Sequence, residues 1–240
     1  MAAEIIASSP ELGIGLGQLL ENGRNASSMP MIFMAILLVL ERLAAEGVRD
    51  VVALPLLLTR AFHAKADIPA ALRQAPAGLR IRTAAVLGPS PLLIAALEQR
   101  LYEAGLDPAD KSSTGVVLAS AGSSDPEAIA VIADIAREWR HTGWCAVRPA
   151  FASASLPRTE DAVRALRAEP GVRKVAVAPY VLAPGFLPDR IARGAAGADV
   201  LAEVLGAAPP VARLLMRRYD EAHLSGTGRT APLARIPALA

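Results

Sequence analysis

The stretch VRDVVALPLLLTRAFHAKADIP (residues 48–69) decides the fold. It opens on a nearly unbroken apolar run, residues 51–58, of strand length and too short for a usual buried helix. A run without polar alternation predicts a strand covered on both faces, as in a parallel sheet packed between helices. Just past its carboxyl end stand Arg60, Phe62, His63, Lys65 and Asp67. Ligands bind at that edge in open α/β sheets. One imidazole among cations there is the main functional signal of the chain.

The stretch occurs twice. VRDVVALPLLLTRAFH (48–63) aligns without a gap on VRKVAVAPYVLAPGFL (172–187), so that Val48, Arg49, Val51, Pro55, Leu58 and Phe62 match Val172, Arg173, Val175, Pro179, Leu182 and Phe186. A second pair follows, LGPSP (87–91) and LGAAP (205–209), each leading into a helix. Two matched features in the same order, so far apart, mark duplicated domains rather than a solenoid. The copies differ at one telling position: His63 faces Leu187. A site built on that imidazole is asymmetric.

With 240 residues the chain has room for two small domains, and the repeat selects that division. A net charge of +2 argues against a polyanion such as nucleic acid and leaves room for a small acidic ligand. The single Cys145 excludes a disulfide framework and a cysteine zinc cluster, and fits a reducing cytoplasm. The longest uncharged apolar run, residues 29–40, ends at Glu41-Arg42, about a dozen residues and too short for a membrane span. No basic segment precedes a cleavable apolar one, so no signal peptide is expected. There is no Ser-His-Asp order, Walker loop or metalloprotease helix.

Periodicity and caps predict strands alternating with helices. In the first half these are a short strand at 4–7, a weak helix at 12–21, a helix at 32–46 stopped by Gly47, the strand 50–58, a short helix at 70–74 and a strand at 79–87. Ser90-Pro91 then starts a helix running to Gly105. After a polar linker at 107–114 come strand 115–120, the loop AGSSDP, and a helix whose Ala128, Ile132, Ile135 and Trp139 share a face. Strand 146–151, helix 159–168, strand 173–182, helix 188–195 and a last strand and helix within 199–222 follow. The pattern is that of a doubly wound parallel-sheet α/β domain, twice. The domains are 1–106 and 115–222, with 223–240 a tail without fixed structure. The first is shortened, since the interval from Ser8 to Val48 lacks a helix end and the strand matching 146–151. A missing strand would leave unpaired edge groups in that lobe.

These residues resemble the class II chelatase family, specifically its two-domain sirohydrochlorin chelatases. The resemblance covers roughly residues 40–222 and rests on PLLLTRAFHAKADIP, the LGPSP and LGAAP helices, AGSSDP, APYVLAPGFLPDR and a final helix ending in RRYDEA. It implies two tandem flavodoxin-like lobes with a cleft between them. It also implies ATP-independent insertion of Co²⁺ or Fe²⁺ into a modified tetrapyrrole, serving cobalamin or sirohaem synthesis. In the family pattern one histidine follows the third strand as Gly-x-His before Asp-Ile-Pro. His63 with Asp67-Ile68-Pro69 matches it, with Ala61 in place of the glycine. A second histidine belongs to a His-Gly-Ser-Arg loop after the first strand. Here the second lobe reads Ala121-Gly122-Ser123-Ser124 and the first offers only Ser8-Ser9-Pro10.

The resemblance makes His63 both proton acceptor and transient metal ligand; the competing reading is a surface loop histidine. Neutral imidazole suits both tasks near pH 7, and a lone ligand is weak enough to release its ion. Arg60, Lys65 and Arg82 are candidates to neutralise substrate carboxylates, against a plain reading as solvated charge. Phe62 and Ser123 complete the candidate substrate contacts. Asp67 and Asp125 are expected to cap the helices that follow them, and His141 and His223 to face solvent. The expected partners are a tetrapyrrole and a metal ion, with no nucleic acid or membrane, in a monomer or homodimer. No permanently bound cofactor is expected, the metal being substrate. The alternative is a chelatase-like paralogue that binds tetrapyrrole or metal without turnover.

Overall fold

The computed structural model describes residues 29–60, 65 and 67–225. Outside them lie the expected strand at 4–7, the expected helix at 12–21, Phe62, His63 and residues 226–240. The chain divides into two compact units, Met1–Ala53 with His63–Thr83, and Leu54–Phe62 with Ala84–Ala240.

The smaller unit contains α1 (Met29–Ala45), β1 (Asp50–Ala53), α2 (Ile68–Leu72) and β2 (Arg80–Thr83). Beyond α1, Gly47 takes a φ of 81°, the left-handed turn that suits glycine after a helix. β1 and β2 pair in parallel, Val52 opposite Arg82 and Ala53 opposite Thr83. Several expectations are corrected here. The strand expected over 50–58 stops at Ala53, and Val51, Val52 and Ala53 are half-buried rather than covered on both faces. Among the described residues β1 has a strand on one side only, and Pro55 has no N–H to extend a ladder. The strand expected at 79–87 likewise shortens to Arg80–Thr83, and the helix expected at 70–74 lies at Ile68–Leu72. Asp67 does not cap α2: its backbone is already helical (φ −69°, ψ −49°) and its side chain makes no capping bond.

The larger unit follows with α3 (Pro91–Glu103), a 3₁₀ turn (Pro108–Ser113), β3 (Thr114–Ser120), α4 (Pro126–Arg140), β4 (Ala146–Phe151), α5 (Thr159–Arg167), β5 (Lys174–Tyr180), α6 (Phe186–Gly194), β6 (Val200–Leu201) and α7 (Pro209–Leu224). Its strands are all parallel in the order β4-β3-β5-β6, the flavodoxin-like arrangement with the first strand inside. β3 and β5 are interior and read as apolar runs, TGVVLAS and KVAVAPY, because helices cover both faces. β4 is an edge strand, where Pro149 leaves no neighbour's acceptor unmet. Alternate residues feed two cores. Val116, Leu118, Ala176 and Ala178 pack with buried residues of α3, α4 and α7, and Val117, Ala119, Val175 and Val177 with those of α5 and α6.

The caps at Ser90 and Asp125 form as predicted, accepting from the N–H groups of Leu92 (3.3 Å) and Glu127 (3.0 Å). Ala128, Ile132, Ile135 and Trp139 make the buried face of α4. The helix expected at 188–195 starts two residues earlier, at Phe186, and α7 takes in His223 and Leu224, which the sequence had assigned to the tail.

The sequence repeat holds in three dimensions. With Val48 matched to Val172 and Leu87 to Leu205, the pairs Val52–Arg82 and Ala53–Thr83 fall on Ala176–Val200 and Val177–Leu201, which are the pairs observed between β5 and β6. The Leu87 N–H donates to the Leu57 carbonyl (2.9 Å), and the equivalent Leu205 N–H donates to the Val181 carbonyl (3.0 Å). The chain is thus two tandem flavodoxin-like domains. Of the first, the described residues supply the third and fourth strands, α1, α2 and the last helix, with no counterpart of β3 or β4 among them.

One carboxylate fastens α3 to the second domain. Glu98 Oε1 accepts from Lys111 Nζ (2.9 Å), Trp139 Nε1 (2.9 Å) and Trp144 Nε1 (3.0 Å). Partial burial works to raise this acid. The bonds from Lys111, Trp139 and Trp144 overcome that and hold it below the usual glutamate range. The indoles are both buried and meet edge to face with centroids 5.8 Å apart, while the Lys111 ammonium lies 5.1 Å over the Trp144 ring.

Candidate active site

The carboxyl edge of the larger sheet is formed by the ends of β3, β4 and β5, at Ser120, Phe151 and Tyr180. Two loops there hold each other. Ser153 donates to the Ala121 carbonyl through both its N–H and its hydroxyl (2.9 Å each), and Ser155 Oγ donates to the Ser123 carbonyl at 2.6 Å. Gly122 has a φ of 92° and lies so close to the Ser153 carbonyl that a Cβ would collide with it. Ser123 takes part in this geometry: its N–H donates to Ser155 Oγ and its hydroxyl accepts from the Asp125 N–H. These bonds give Ser123 the task of shaping the loop.

The segment 54–60, which leads to the expected imidazole, runs along the same unit. It is fixed at two successive carbonyls. Leu57 accepts from the Leu87 N–H, and Leu58 accepts from the Tyr180 hydroxyl at 3.4 Å. Gly88 backs onto the Leu58 carbonyl; a Cβ there would strike that oxygen and come within 2.6 Å of the Tyr180 hydroxyl. Tyr180 is only 2% exposed, and burial pushes its phenol far above the ordinary tyrosine range. Neither Gly88 nor Tyr180 was singled out from the sequence, although both lie in repeated stretches.

Arg60 emerges exposed from this clamp, and Lys65 is exposed in the smaller unit. Arg82, in the smaller unit, is half-buried. Its guanidinium lies 3.8 Å from the carboxylate of Asp50, the first residue of β1, and so at the amino end of that strand. His63 and Phe62 fall outside the described residues. His141 and His223 are exposed as expected, and the His223 ring stacks on Tyr219 with centroids 5.8 Å apart. Among the described residues no group of three or more His, Cys, Asp or Glu could hold a metal ion, and no helix is long and apolar enough to cross a membrane.

The sequence reading also missed an apolar rim. Leu56, Leu156 and Phe186 are exposed at 47%, 73% and 69%, on the segment after β1, the loop after β4 and the start of α6. Exposed apolar groups on loops at a sheet's carboxyl edge are of the kind that contact a ligand's apolar surface.

A parallel sheet of this order, with constrained loops gathered at its carboxyl edge, defines a doubly wound α/β protein. The chain belongs to the CbiX family, whose sequence model matches residues 30–104 and 115–222. It is 32% identical over 155 residues to the sirohydrochlorin cobaltochelatase of Priestia megaterium, a match covering 61% of this chain and 49% of that one. The chain therefore spans about half the length of that relative. Among solved structures it is similar to SirB from Bacillus subtilis with Fe³⁺, with a TM-score of 0.64, 25% identity, and coverage of 79% of this chain and 77% of that one. It shares its fold with the sirohydrochlorin chelatase SirB from Bacillus subtilis subspecies spizizenii in complex with cobalt, with a TM-score of 0.61, 22% identity, and coverage of 93% and 94%.

Proposed function

We propose that this protein is a cytoplasmic metal chelatase that inserts Co²⁺ or Fe²⁺ into a sirohydrochlorin-type tetrapyrrole without ATP, in cobalamin or sirohaem synthesis. The observation that carries the reading is the family match, which runs through both domains and includes the clamped segment 54–60 and the HAKADIP loop after it. The name of the Priestia megaterium relative supports the same substrate.

In this reading the macrocycle gives up two pyrrole protons as the ion enters. His63, neutral at first, lends the ion one nitrogen ligand, which a lone imidazole binds weakly enough to let go; once the ion has passed to the macrocycle, the freed nitrogen accepts one of the two protons and the other goes to solvent. Arg60 and Lys65 supply exposed cations for the carboxylates of the macrocycle, and Phe62 with the apolar rim offers surface to its face. The metal is substrate, and no resident cofactor takes part. Mixing the purified protein with sirohydrochlorin and Co²⁺ or Fe²⁺ and following the absorbance of the macrocycle tests this: the reading requires insertion faster than the uncatalysed rate.

One observation favours a second reading, tetrapyrrole or metal binding without turnover. The loop after β3 carries Ala121 where the family pattern has an imidazole. Saturable binding of sirohydrochlorin with no gain in insertion rate would select it.

A further inference from the structure

The outward face of α7 carries a stripe of Ala212, Arg213, Met216, Arg217, Asp220 and Leu224. Met216 is 59% exposed and Leu224 65%, while the opposite face buries Pro210, Val211 and Leu214. The repeat shows what such a face is built for. Matching LGPSP to LGAAP places Met216 on Glu98 and Asp220 on Tyr102. On α3 that face is covered: Glu98 is bonded to both tryptophans, and Tyr102 packs against the core. On α7 the equivalent positions Met216 and Asp220 are exposed, and no other described element covers them.

We infer that this stripe is a self-association surface on which a second copy of the chain lays its own α7, antiparallel, about a two-fold axis between Met216 and Arg217. The charge pattern identifies the occupant. Arg213 and Asp220 are both exposed and have no ion-pair partner among the described residues. They stand symmetrically about that axis. An antiparallel pair therefore sets each Arg213 against Asp220 of the other copy, twice, which is the self-complementarity a closed two-fold interface demands. The same axis brings the two exposed Met216 side chains close to each other at the centre. A helix of 16 residues is about 24 Å long, so the contact is small and the dimer weak.

Sedimentation velocity of the full chain from about 1 to about 200 µM, a range that suits a small interface, tests the inference. The wild type should shift from monomer to dimer. Arg213→Glu and Asp220→Arg should each weaken dimerisation on the order of tenfold or more, because like charges then face each other. An equimolar mixture of the two variants should restore the dimer, since each variant then meets its complement. Both substitutions are at exposed positions, so folding is preserved, and unchanged circular dichroism checks that. A wild type that stays monomeric throughout overturns the inference and assigns the stripe to another segment of the same chain. Dimerisation unaffected by either variant overturns it as well, as does failure of the mixture to recover.

Discussion

Arg100 and Arg218 occupy the same place in the two copies of the repeat, and each reaches over to the other copy. Arg100 donates through Nε and Nη2 to the Leu205 carbonyl (3.3 and 3.1 Å), and Arg218 donates through Nε to the Val86 carbonyl at 3.0 Å. Both acceptors stand just before a Leu-Gly turn or on its leucine. The duplication thus left a near-symmetric exchange between α3 and α7, with guanidinium groups about one-fifth exposed.

Replacing Arg100 with Lys should lower stability by about 1 kcal/mol, since an ammonium cannot reproduce the forked donation to one carbonyl. Arg218→Lys should cost a similar amount. Urea unfolding of both single variants measures this. A loss at Arg100 and none at Arg218 would contradict the paired role.

Gly88 is the tightest point near the site. Gly88→Ala drives a methyl group into the Leu58 carbonyl and the Tyr180 hydroxyl, an overpacking expected to cost about 2 kcal/mol or more. Because the displaced segment leads to His63, insertion activity should fall together with the melting temperature. Gly105→Ala is the control: its Cβ would meet nothing within 4 Å, although its φ of 95° carries a strain of its own. It should lower stability without a comparable loss of activity.

Tyr180 gives a dependence on alkaline pH. Burial raises the pKa of its phenol in the folded state, so above the ordinary tyrosine range the unfolded chain loses this proton while the folded chain keeps it. The contribution is fully present below about pH 10 and is lost as the pH rises beyond it. Tyr180→Phe should flatten that alkaline decline, which thermal melts across pH 9 to 11 would show. An unchanged slope would mean that other groups cause it.

Glu98 gives the opposite sign. Its folded pKa is lowered, so its stabilisation is present above the ordinary glutamate range and is lost as the pH falls through the depressed value. Glu98→Ala leaves two buried indole N–H groups without an acceptor and should cost about 2–4 kcal/mol. Glu98→Gln, which keeps an acceptor, should cost less. The two tryptophans of the chain are both bonded to Glu98, so their fluorescence should shift in Glu98→Ala before any unfolding. Unchanged emission would argue against the bonds.

The apolar runs made the parallel sheet of the second domain legible, because a strand sheathed on both faces is apolar through its middle rather than at alternate positions. β3 and β5 show this. The same logic overreached at residues 50–58: the apolar run was read correctly as a strand, but its length depends on neighbours, and among the described residues β1 has one. The clamp of Leu58, Gly88 and Tyr180 was not legible, since it joins residues remote in sequence through a carbonyl and a missing Cβ. Glu98 was hidden for a related reason. A single acid on an otherwise amphipathic helix gives no local sign that two distant indoles will meet it. Ser123 was picked from a loop resembling an anion cradle, and the bonds that tie it to Ser155 and Asp125 were not legible because one partner lies 32 residues away.

The most direct measurement is the initial rate of metal insertion into sirohydrochlorin by wild type and His63→Ala at equal protein concentration, with circular dichroism confirming that both are folded. The account predicts Co²⁺ or Fe²⁺ insertion above the uncatalysed rate for the wild type, and a fall of roughly 100-fold or more in the variant, as expected when a general base is removed. Equal rates in the two proteins, with the wild type active, would contradict the assignment of His63.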